Sequence, residues 1–428
     1  MVVWMKQFKD DIQNITDDIL QEEPNINLDH LINLILIILE ESLLYSKQDK
    51  HYWTFIPIIK QIISEYKPEL YGYYYNNFNL PDNSSRVEYL KSLPQYEQRT
   101  PEWFKQKKET IGASESAPLF GLGYNRSERA EKIIKKKSGF EEQVNNSSFS
   151  MLSCEHGTKF EPVVQMLYEL KENCTLLEFG SIVHEKDKMI SASPDGITTN
   201  GIMIEIKVPK SRQITGFPPL YYWVQMQQQM EVCDLPIVHF IECDIKEYSS
   251  ATEYFKDYKD DKNNHFSSNG MEKGVLISYL YGIDNELRYI YPEKLLKSDE
   301  IDEFIINTTK NLNKDENVSC IVTRYWKLIT FSKTCVWRDR KWWETNKHKF
   351  YECWDKIVYY RKAGLEEYIK NETKQKNNVK ENTFKENIIK KEVCLIISDD
   401  EDNDLSKNNN KLINKNNSEC LIISDDDD

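Results

Sequence analysis

The residues of this chain that could do chemistry together lie in two short segments, Ser193-Pro194-Asp195-Gly196 and Glu205-Ile206-Lys207. Residues i and i+2 of a strand share a face, so Glu205 and Lys207 would project together while Ile206 enters a core. A tight turn at Asp195 could aim a second carboxylate at Glu205. Two carboxylates plus water and phosphate oxygens are the usual magnesium ligands in phosphoryl-transfer sites. The segments therefore predict a site for Mg²⁺, with Mn²⁺ as the alternative, and a lysine that neutralises developing charge.

Ordinary structural roles are the alternative for each of these residues. Charged residues that alternate with aliphatic ones on a strand usually form its solvent-facing side. Glu161 could be a solvated residue on a helix surface. The glutamines from Gln225 to Gln229 could form the polar side of an amphipathic helix. The run Lys135-Lys136-Lys137 is interpreted in the same way, as a solvated face.

The elements that must position these residues follow from apolar spacing and turn residues. Helical spacing predicts a short helix over 103–108, a longer one over 152–172 and a third over 220–231 after Pro218-Pro219. The segment that starts at Ile111 is predicted to open a further helix, and an aromatic helix is predicted from Trp342 to Tyr360. Strands are predicted at 182–184, 189–192, 201–208 and 237–245. Helix, antiparallel strands, helix and strand in this order predict a mixed α/β fold.

Ser-Pro-Asp-Gly, a short gap and then Glu-Ile-Lys together resemble the PD-(D/E)XK nuclease core. More narrowly, the chain resembles the YqaJ-type viral recombinase nucleases related to phage lambda exonuclease. Three further segments support the narrower resemblance, namely Trp103 to Glu115, Gly157 to Pro162 and Tyr222 to Gln227. The resemblance covers roughly residues 100 to 245 and implies a restriction-endonuclease-like core.

The resemblance also implies roles for individual residues. Asp195, Glu205 and the backbone carbonyl of Ile206 would be metal ligands, and Glu161 would act through the metal or its waters. Lys207 would orient the nucleophile. The implied catalytic residues are Glu161, Asp195, Glu205, Lys207 and Gln227, and the implied substrate-binding residues are Lys107, Ser114, Tyr222 and Gln225. The family usually has arginine where this chain has Lys107, and lysine cannot bind a phosphate bidentately.

The function that the resemblance implies is a magnesium-dependent 5′→3′ exonuclease acting on double-stranded DNA ends in viral recombination, repair or replication. Some relatives are trimeric rings that work with a single-strand annealing protein. Two alternatives stay open. One is a catalytically idle DNA-end-binding or scaffold protein on the same fold, and the other is an endonuclease or an RNA-directed nuclease. Richness in Asn, Ile and Lys indicates an AT-rich genome, which fits a large DNA virus.

The bulk properties are those of a globular protein. The chain has 428 residues, of which 39% are hydrophobic, and a formal net charge of −14, so any DNA-binding track must be local. Its cysteines form no C-x-x-C pair, as expected of reduced intracellular thiols. The apolar run from Leu31 to Leu39 is too short to cross a membrane, and no signal peptide is predicted. We expect a soluble protein of the host cytoplasm or nucleus, or one packaged in the virion.

Composition shifts predict four regions along the chain. Residues 1–95 form a helical accessory module, 96–250 the nuclease core, 251–371 a C-terminal α+β extension and 372–428 a disordered acidic tail. The tail repeats a Leu-Ile-Ile-Ser-acidic motif at 392–400 and 419–426. This motif resembles SUMO-interacting motifs, which add a strand to a partner's sheet, so it predicts a SUMO-like partner. A plain acidic tail is the alternative.

Overall fold

The computed structural model describes most of the chain up to residue 373. The described ranges are 2–23, 31–32, 34–35, 38–39, 52–67, 82–96, 100–122, 130–140, 148–216, 218–258 and 265–373. The chain divides into two units, 1–362 and 363–428. Within the second unit, residues 365–373 are helical. The predicted disordered tail begins with two helical residues, 372 and 373, and the rest of it, with both copies of its motif, lies outside the described residues.

The secondary structure alternates between helices and strands, so the predicted mixed α/β class is confirmed. The helices are α1 Val2–Glu22, α2 Tyr52–Tyr66, α3 Ser84–Ser92, α4 Pro101–Lys108, α5 Ala130–Lys137, α6 Ser148–Glu172, α7 Leu220–Cys233, α8 Ala251–Lys256, α9 Ser298–Leu312, α10 Arg340–Asn346 and α11 His348–Ala363. The strands are β1 Ile111–Gly112, β2 Leu176–Leu177, β3 Ile182–Val183, β4 Ile190–Ala192, β5 Gly196–Thr198, β6 Met203–Lys207, β7 Ile237–Glu247, β8 Lys273–Tyr281, β9 Glu286–Ile290 and β10 Val318–Trp337.

The strands form a large sheet and a small one. The large sheet has the order β2-β5-β6-β7-β10-β8-β9, and the small one has the order β1-β4-β3. Strands β6 and β7 are parallel, which requires a crossover between them, and α7 lies in that connection. Strand β10 pairs antiparallel with β7 on one side and with β8 on the other. Strands from the predicted 251–371 extension therefore continue the sheet of the predicted nuclease core.

Helix α6 covers the face of β6 that carries its aliphatic residues. Ile204 and Ile206 share a buried cluster with Phe160, Val164 and Leu167 of the helix. The prediction that the aliphatic residues of this strand enter a core is confirmed. Because alternate residues of a strand face opposite ways, Glu205 and Lys207 lie on the other face of the sheet. We call that face of β6 and β7 the acidic face.

Helix α7 also contributes side chains to the acidic face. It begins after Pro219, whose backbone is extended, and ends at Asp234, which has the left-handed φ of 52° that often terminates helices. Ten of its residues are buried, including all four of its glutamines. A buried amide needs a hydrogen-bond partner. The glutamines therefore bind inside the protein and do not form the solvated side of an amphipathic helix.

The N-terminal helices have an apolar core of their own. Ile12 of α1 and Ile59 of α2 are fully buried in a cluster with Leu31 and Ile35. None of the helices in the described part of the chain is long and apolar enough to span a membrane.

Two local predictions were wrong. The segment from Ile111 does not open an α-helix, because Ile111-Gly112 pairs as β1 with β4, and short 3-10 turns follow over Ala113–Glu115 and Ala117–Phe120. The single aromatic helix predicted from Trp342 to Tyr360 is divided into α10 and α11.

Candidate active site

The Glu205 carboxylate is the most completely hydrogen-bonded group of the acidic face. Its Oε1 accepts hydrogen bonds from the Lys207 ammonium and from Gln225 Nε2, the latter at 2.6 Å. Its Oε2 accepts from Gln229 Nε2 at 2.6 Å. Glu205 is only 1% exposed. Gln225 and Gln229 are one helical turn apart on α7, so both amides reach the same carboxylate. These donors fix its orientation.

Asp195 is held against Glu205 by two elements. It lies immediately before β5, and its Oδ2 accepts a hydrogen bond of 2.6 Å from the backbone N–H of Ile206. Gln165 of α6 donates to the Asp195 carbonyl at 2.7 Å. Burial raises the pKa of Asp195 well above its usual range, and the charges of Glu205 and Glu161 raise it further, while Lys207 opposes them. Negative charge is therefore concentrated at this point.

Lys207 is the cation of the acidic face. Burial alone would lower the pKa of Lys207, but the nearby carboxylates of Glu205 and Asp195 more than compensate, so the net shift is upward. The lysine is therefore an ammonium at neutral pH and not a general base. Its Nζ also lies 4.8 Å from the ring centre of Tyr222, a cation–π distance. The structure thus brings together Asp195, Glu205, Lys207, Gln225 and Tyr222.

The donor set fits a hard divalent cation held by few protein ligands. The charge of Glu205 adds to the effect of burial in raising the pKa of Asp195, so the two carboxylates repel each other in a buried space. A cation would relieve that repulsion. Among the described residues, no group of three or more His, Cys, Asp or Glu side chains could hold a metal ion. A site here would therefore rest on Asp195, Glu205 and the Ile206 carbonyl, completed by water and substrate oxygens, as magnesium sites often are.

Glu161 lies close enough to this group for its charge to act on Asp195. It is half-buried on α6, and its charge contributes to the raised pKa values of both Asp195 and Tyr291. This position is compatible with action through a water molecule. Its predicted role in the metal site stays a prediction.

Gln227 is not at the acidic face. Its Nε2 donates to the Trp337 carbonyl at 2.9 Å, and its Oε1 accepts from the Asp339 N–H at 2.7 Å. The side chain joins α7 to the end of β10, so the geometry gives no support to the predicted catalytic role of Gln227. The residue that the sequence reasoning missed is Gln229. The i, i+4 spacing from Gln225 was the available signal for it.

Gln228 connects helix α7 to strands β1 and β4. It is fully buried, and its Nε2 donates to the carbonyls of Ile111 at 2.8 Å and Ser191 at 2.9 Å. Ile111 begins β1, and Ser191 belongs to β4. One amide therefore fixes the strand before Ser114 and the strand before Asp195.

Lys107 lies near Glu115 and Lys136, and Ser114 directly precedes Glu115 in the sequence. Ser114 is exposed in the 3-10 turn after β1, and Lys107 Nζ lies 4.4 Å from the ring centre of Trp103. Burial lowers the pKa of Lys107, Glu115 raises it, and Lys136 lowers it further. We call Lys107, Lys136, Lys137 and Glu115 the lysine corner.

Glu115 organises the lysine corner. Its carboxylate accepts hydrogen bonds from Lys137 at 2.6 Å, from the Gly112 N–H at 3.1 Å and from Lys136 at 3.2 Å. Lys137 also donates to the Lys107 carbonyl at 2.6 Å. The Lys137 side chain is only 3% exposed, so the interpretation of the three-lysine run as a solvated face was wrong for this residue.

Arg361 of α11 fixes the helix ends that carry these lysines. Its guanidinium donates to the Lys108 carbonyl at 2.6 Å and to the Lys137 carbonyl at 3.1 Å. These carbonyls end α4 and α5, where cations are favourable. Three lysines around one glutamate leave excess positive charge beside the exposed Ser114.

Comparison with known proteins identifies a family for the region that contains Glu205 and the lysine corner. Residues 102–236 match the family model described as the YqaJ-like viral recombinase domain. The chain carries a YqaJ-like viral recombinase domain. The predicted resemblance is therefore confirmed. All the predicted site residues, from Lys107 to Gln227, lie in the YqaJ-like domain, whereas β7 to β10 of the same sheet lie beyond it.

A distant relative comes from a giant virus. An uncharacterised protein of Acanthamoeba polyphaga mimivirus is 28% identical over 321 residues, which are 67% of this chain and 57% of the relative. The chain thus corresponds to little more than half of that protein.

Two solved structures of exonucleases have low similarity to the chain. An alkaline exonuclease from Laribacter hongkongensis aligns with 64% of this chain and 99% of its own, at 17% identity and a TM-score of 0.37. A phage-related exonuclease from Haemophilus somnus 129PT aligns with 58% of this chain and 93% of its own, at 10% identity and a TM-score of 0.30.

Proposed function

We propose that this protein is a divalent-metal-dependent deoxyribonuclease with a PD-(D/E)XK-type centre, and that it acts as a 5′→3′ exonuclease on double-stranded DNA ends. The biological setting would be viral DNA recombination, repair or replication. The observation that carries the proposal is the Glu205 carboxylate, fixed by Gln225, Gln229 and Lys207 beside a second carboxylate whose pKa is strongly raised. The YqaJ-like domain supports the same assignment.

The residues of the acidic face would divide the work of phosphodiester hydrolysis. Asp195, Glu205 and the Ile206 carbonyl would hold Mg²⁺ or Mn²⁺, which polarises a phosphoryl oxygen and lowers the pKa of a bound water. Gln225 and Gln229 keep the Glu205 oxygens in place, as outer hydrogen bonds do for metal-binding carboxylates. Lys207, which stays protonated, can orient the attacking water or neutralise charge on the phosphate in the transition state.

The lysine corner would receive the phosphate at the DNA end. Ser114 offers an exposed hydroxyl, and Lys107 and Lys136 add positive charge next to it. Backbone phosphates are bound largely through lysine and arginine, so a local basic group is compatible with an acidic chain. Double-stranded DNA ends are the partner that this function requires. A single-strand annealing protein, a homo-oligomer such as a trimer, and a SUMO-like partner of the tail stay predictions.

Digestion of defined substrates tests the proposal. Linear duplex DNA with a labelled 5′ end, closed-circular DNA and single-stranded RNA are incubated with the purified full chain and Mg²⁺ or Mn²⁺. Parallel reactions contain EDTA. We expect release of label as mononucleotide from the linear duplex only, and only with metal.

Each other outcome assigns a different function. Cutting of the closed circle would make the protein an endonuclease, and RNA degradation would make it a ribonuclease. Binding of DNA ends without cleavage under any metal would support a catalytically idle end-binding protein and would overturn the proposal.

A further inference from the structure

A second ion pair lies on the acidic face, beside the centre described above. Glu242 of β7 is the register partner of Lys207 on β6, and residues paired directly across strands face the same side of a sheet. Glu242 is 1% exposed. Its Oε1 accepts a hydrogen bond from the guanidinium of Arg212, which lies in the loop between β6 and α7.

The Glu242 carboxylate is only half satisfied. Its Oε2 is buried and has no hydrogen-bond partner among the described residues. A buried carboxylate with an unpaired oxygen costs free energy, and even a fully bonded buried ion pair is weak evidence for stability. The position that the pair gives to Arg212 therefore explains its presence better than a contribution to folding stability does.

Tyr222 lies between the two cations of the acidic face. Its ring centre is 4.8 Å from Lys207 Nζ and 5.9 Å from Arg212 Cζ, and its ring packs 5.7 Å from that of Phe240. Arg212 is thus anchored to the same aromatic side chain as the lysine of the metal centre. Its side chain is 25% exposed, compared with 1% for that of Glu242, so part of the Arg212 side chain is accessible to solvent.

We propose that Arg212 binds a backbone phosphate of the DNA on the acidic face, and that Glu242 is the positioning residue that holds its guanidinium there. The inference rests on the proposed function, because it assigns the substrate of the same site. A guanidinium has five N–H donors in a planar fork, so contacts to Glu242 leave others for the two oxygens of a phosphate. Lysine, which stands at position 107 in the lysine corner, cannot bind in this way.

Charge and positioning make opposite predictions for Glu242→Gln. The substitution removes a negative charge, so an account based on charge alone predicts tighter binding to DNA. If Glu242 instead holds Arg212 in place, the freed guanidinium loses its fixed orientation. DNA binding and cleavage then become weaker even though the protein is more positive.

Binding without metal tests the inference independently of activity. The dissociation constant for a blunt 5′-phosphorylated duplex is measured by fluorescence anisotropy in EDTA at several salt concentrations, for wild type, Arg212→Gln, Arg212→Lys and Glu242→Gln. For Arg212→Gln we expect about tenfold weaker binding. The slope of log K against log salt should become shallower by about 0.9, the loss of one phosphate contact.

The other two variants separate charge from geometry. Arg212→Lys should recover the salt slope but not the affinity, because a point charge replaces the planar fork. Glu242→Gln should keep the slope and lose affinity, and in cleavage assays its KM should rise more than its kcat falls.

Arg324→Gln is the matched control. Arg324 is 32% exposed and pairs with Glu247, another carboxylate of β7, at 3.3 Å. The control should bind as wild type does. Thermal melting checks that each variant folds, and if Glu242→Gln does not fold, the two Arg212 variants decide.

The results separate this inference from the proposed function. The inference would be overturned if Arg212→Gln kept the affinity and salt slope of wild type, if Arg324→Gln lost as much affinity as Arg212→Gln, or if Glu242→Gln bound DNA more tightly. None of these results would affect the nuclease assignment as long as the wild type cleaves DNA. Absence of cleavage by wild type would remove the proposed function, and the binding data would still decide whether Arg212 contacts phosphate.

Discussion

The acidic face and the lysine corner differ in the sign of their charge, although helix α7 connects them. At the acidic face, Glu205 is 1% exposed and receives amide donors on both oxygens. At the lysine corner, lysines surround one glutamate next to the exposed Ser114. A buried, pre-oriented carboxylate suits a small cation, whereas accessible cations suit a polymer phosphate.

The connection between the two regions passes through one residue. Gln228 binds the backbone of β1 and β4, while Gln225 and Gln229 of the same helix bind Glu205. A glutamine helix can thus fix the relative positions of a metal centre and a phosphate-binding corner. The comparison predicts that changes to Glu205 and to its hydrogen-bond donors reduce the rate of chemistry, and that changes at the lysine corner reduce binding.

Lys207→Met should give the largest effect among these tests. Loss of a preorganised cation typically lowers kcat by about 10²–10³-fold, and KM should change little. Steady-state cleavage of linear duplex measures both constants. Lys327→Met is the control, since that lysine has a similar side-chain exposure, 28% against 23%, and pairs with Asp257 away from β6. Equal losses in both variants, or a selective rise in KM for Lys207→Met, would contradict the proposed division.

Gln229→Ala and Gln227→Ala form a matched pair on one helix. Gln229→Ala removes the donor to Glu205 Oε2, so we expect about 10–100-fold weaker metal activation, measured by titrating Mg²⁺. Gln227→Ala should leave metal activation unchanged. It should instead lower the free energy of unfolding by about 1–3 kcal/mol, because the buried Asp339 N–H and Trp337 carbonyl lose their partner. The reverse assignment of these effects would restore Gln227 as a catalytic residue.

Lys136→Ala should have the smallest effect. Its side chain is 56% exposed, and its removal eliminates one charge from the lysine corner. Affinity for duplex ends should fall modestly, with a salt slope shallower by about 0.9 and no change in kcat. The loss should be greater for 5′-phosphorylated than for 5′-hydroxyl ends. Lys91→Ala, at 46% exposure, is the control. A change in kcat, or an equal loss on both kinds of end, would show that the corner does not read the terminal phosphate.

The sequence predicted the centre of the site because its local pattern is strong. Alternation in β6 places Ile204 and Ile206 in the core with α6, and the same alternation puts Glu205 and Lys207 on the other face. The helix after Pro218-Pro219 was predicted for an equally local reason, since proline sets the backbone before a helix begins.

The sequence could not predict the features that depend on the rotation of helix α7 about its axis or on contacts between residues distant in the chain. Four glutamines within five residues face three different ways, and only the rotation of α7 against the sheet decides that Gln229 meets Glu205 while Gln227 meets β10. The burial of Lys137 depends on Glu115, 22 residues away in sequence. Glu242 and Arg212 are brought together only by the parallel pairing of β6 with β7.

Cleavage by Glu205→Gln tests the central claim most directly. The substitution keeps the size of the side chain and removes the charge that a divalent cation requires. Glu272→Gln is the control, since that carboxylate is also largely buried but pairs with Lys171 of α6. With Mg²⁺ and a 5′-labelled linear duplex, we predict label release by wild type and the control, and a rate lower by more than about 10³-fold in Glu205→Gln. Release by a folded Glu205→Gln at a rate close to wild type would contradict the assignment of the acidic face as the nuclease centre.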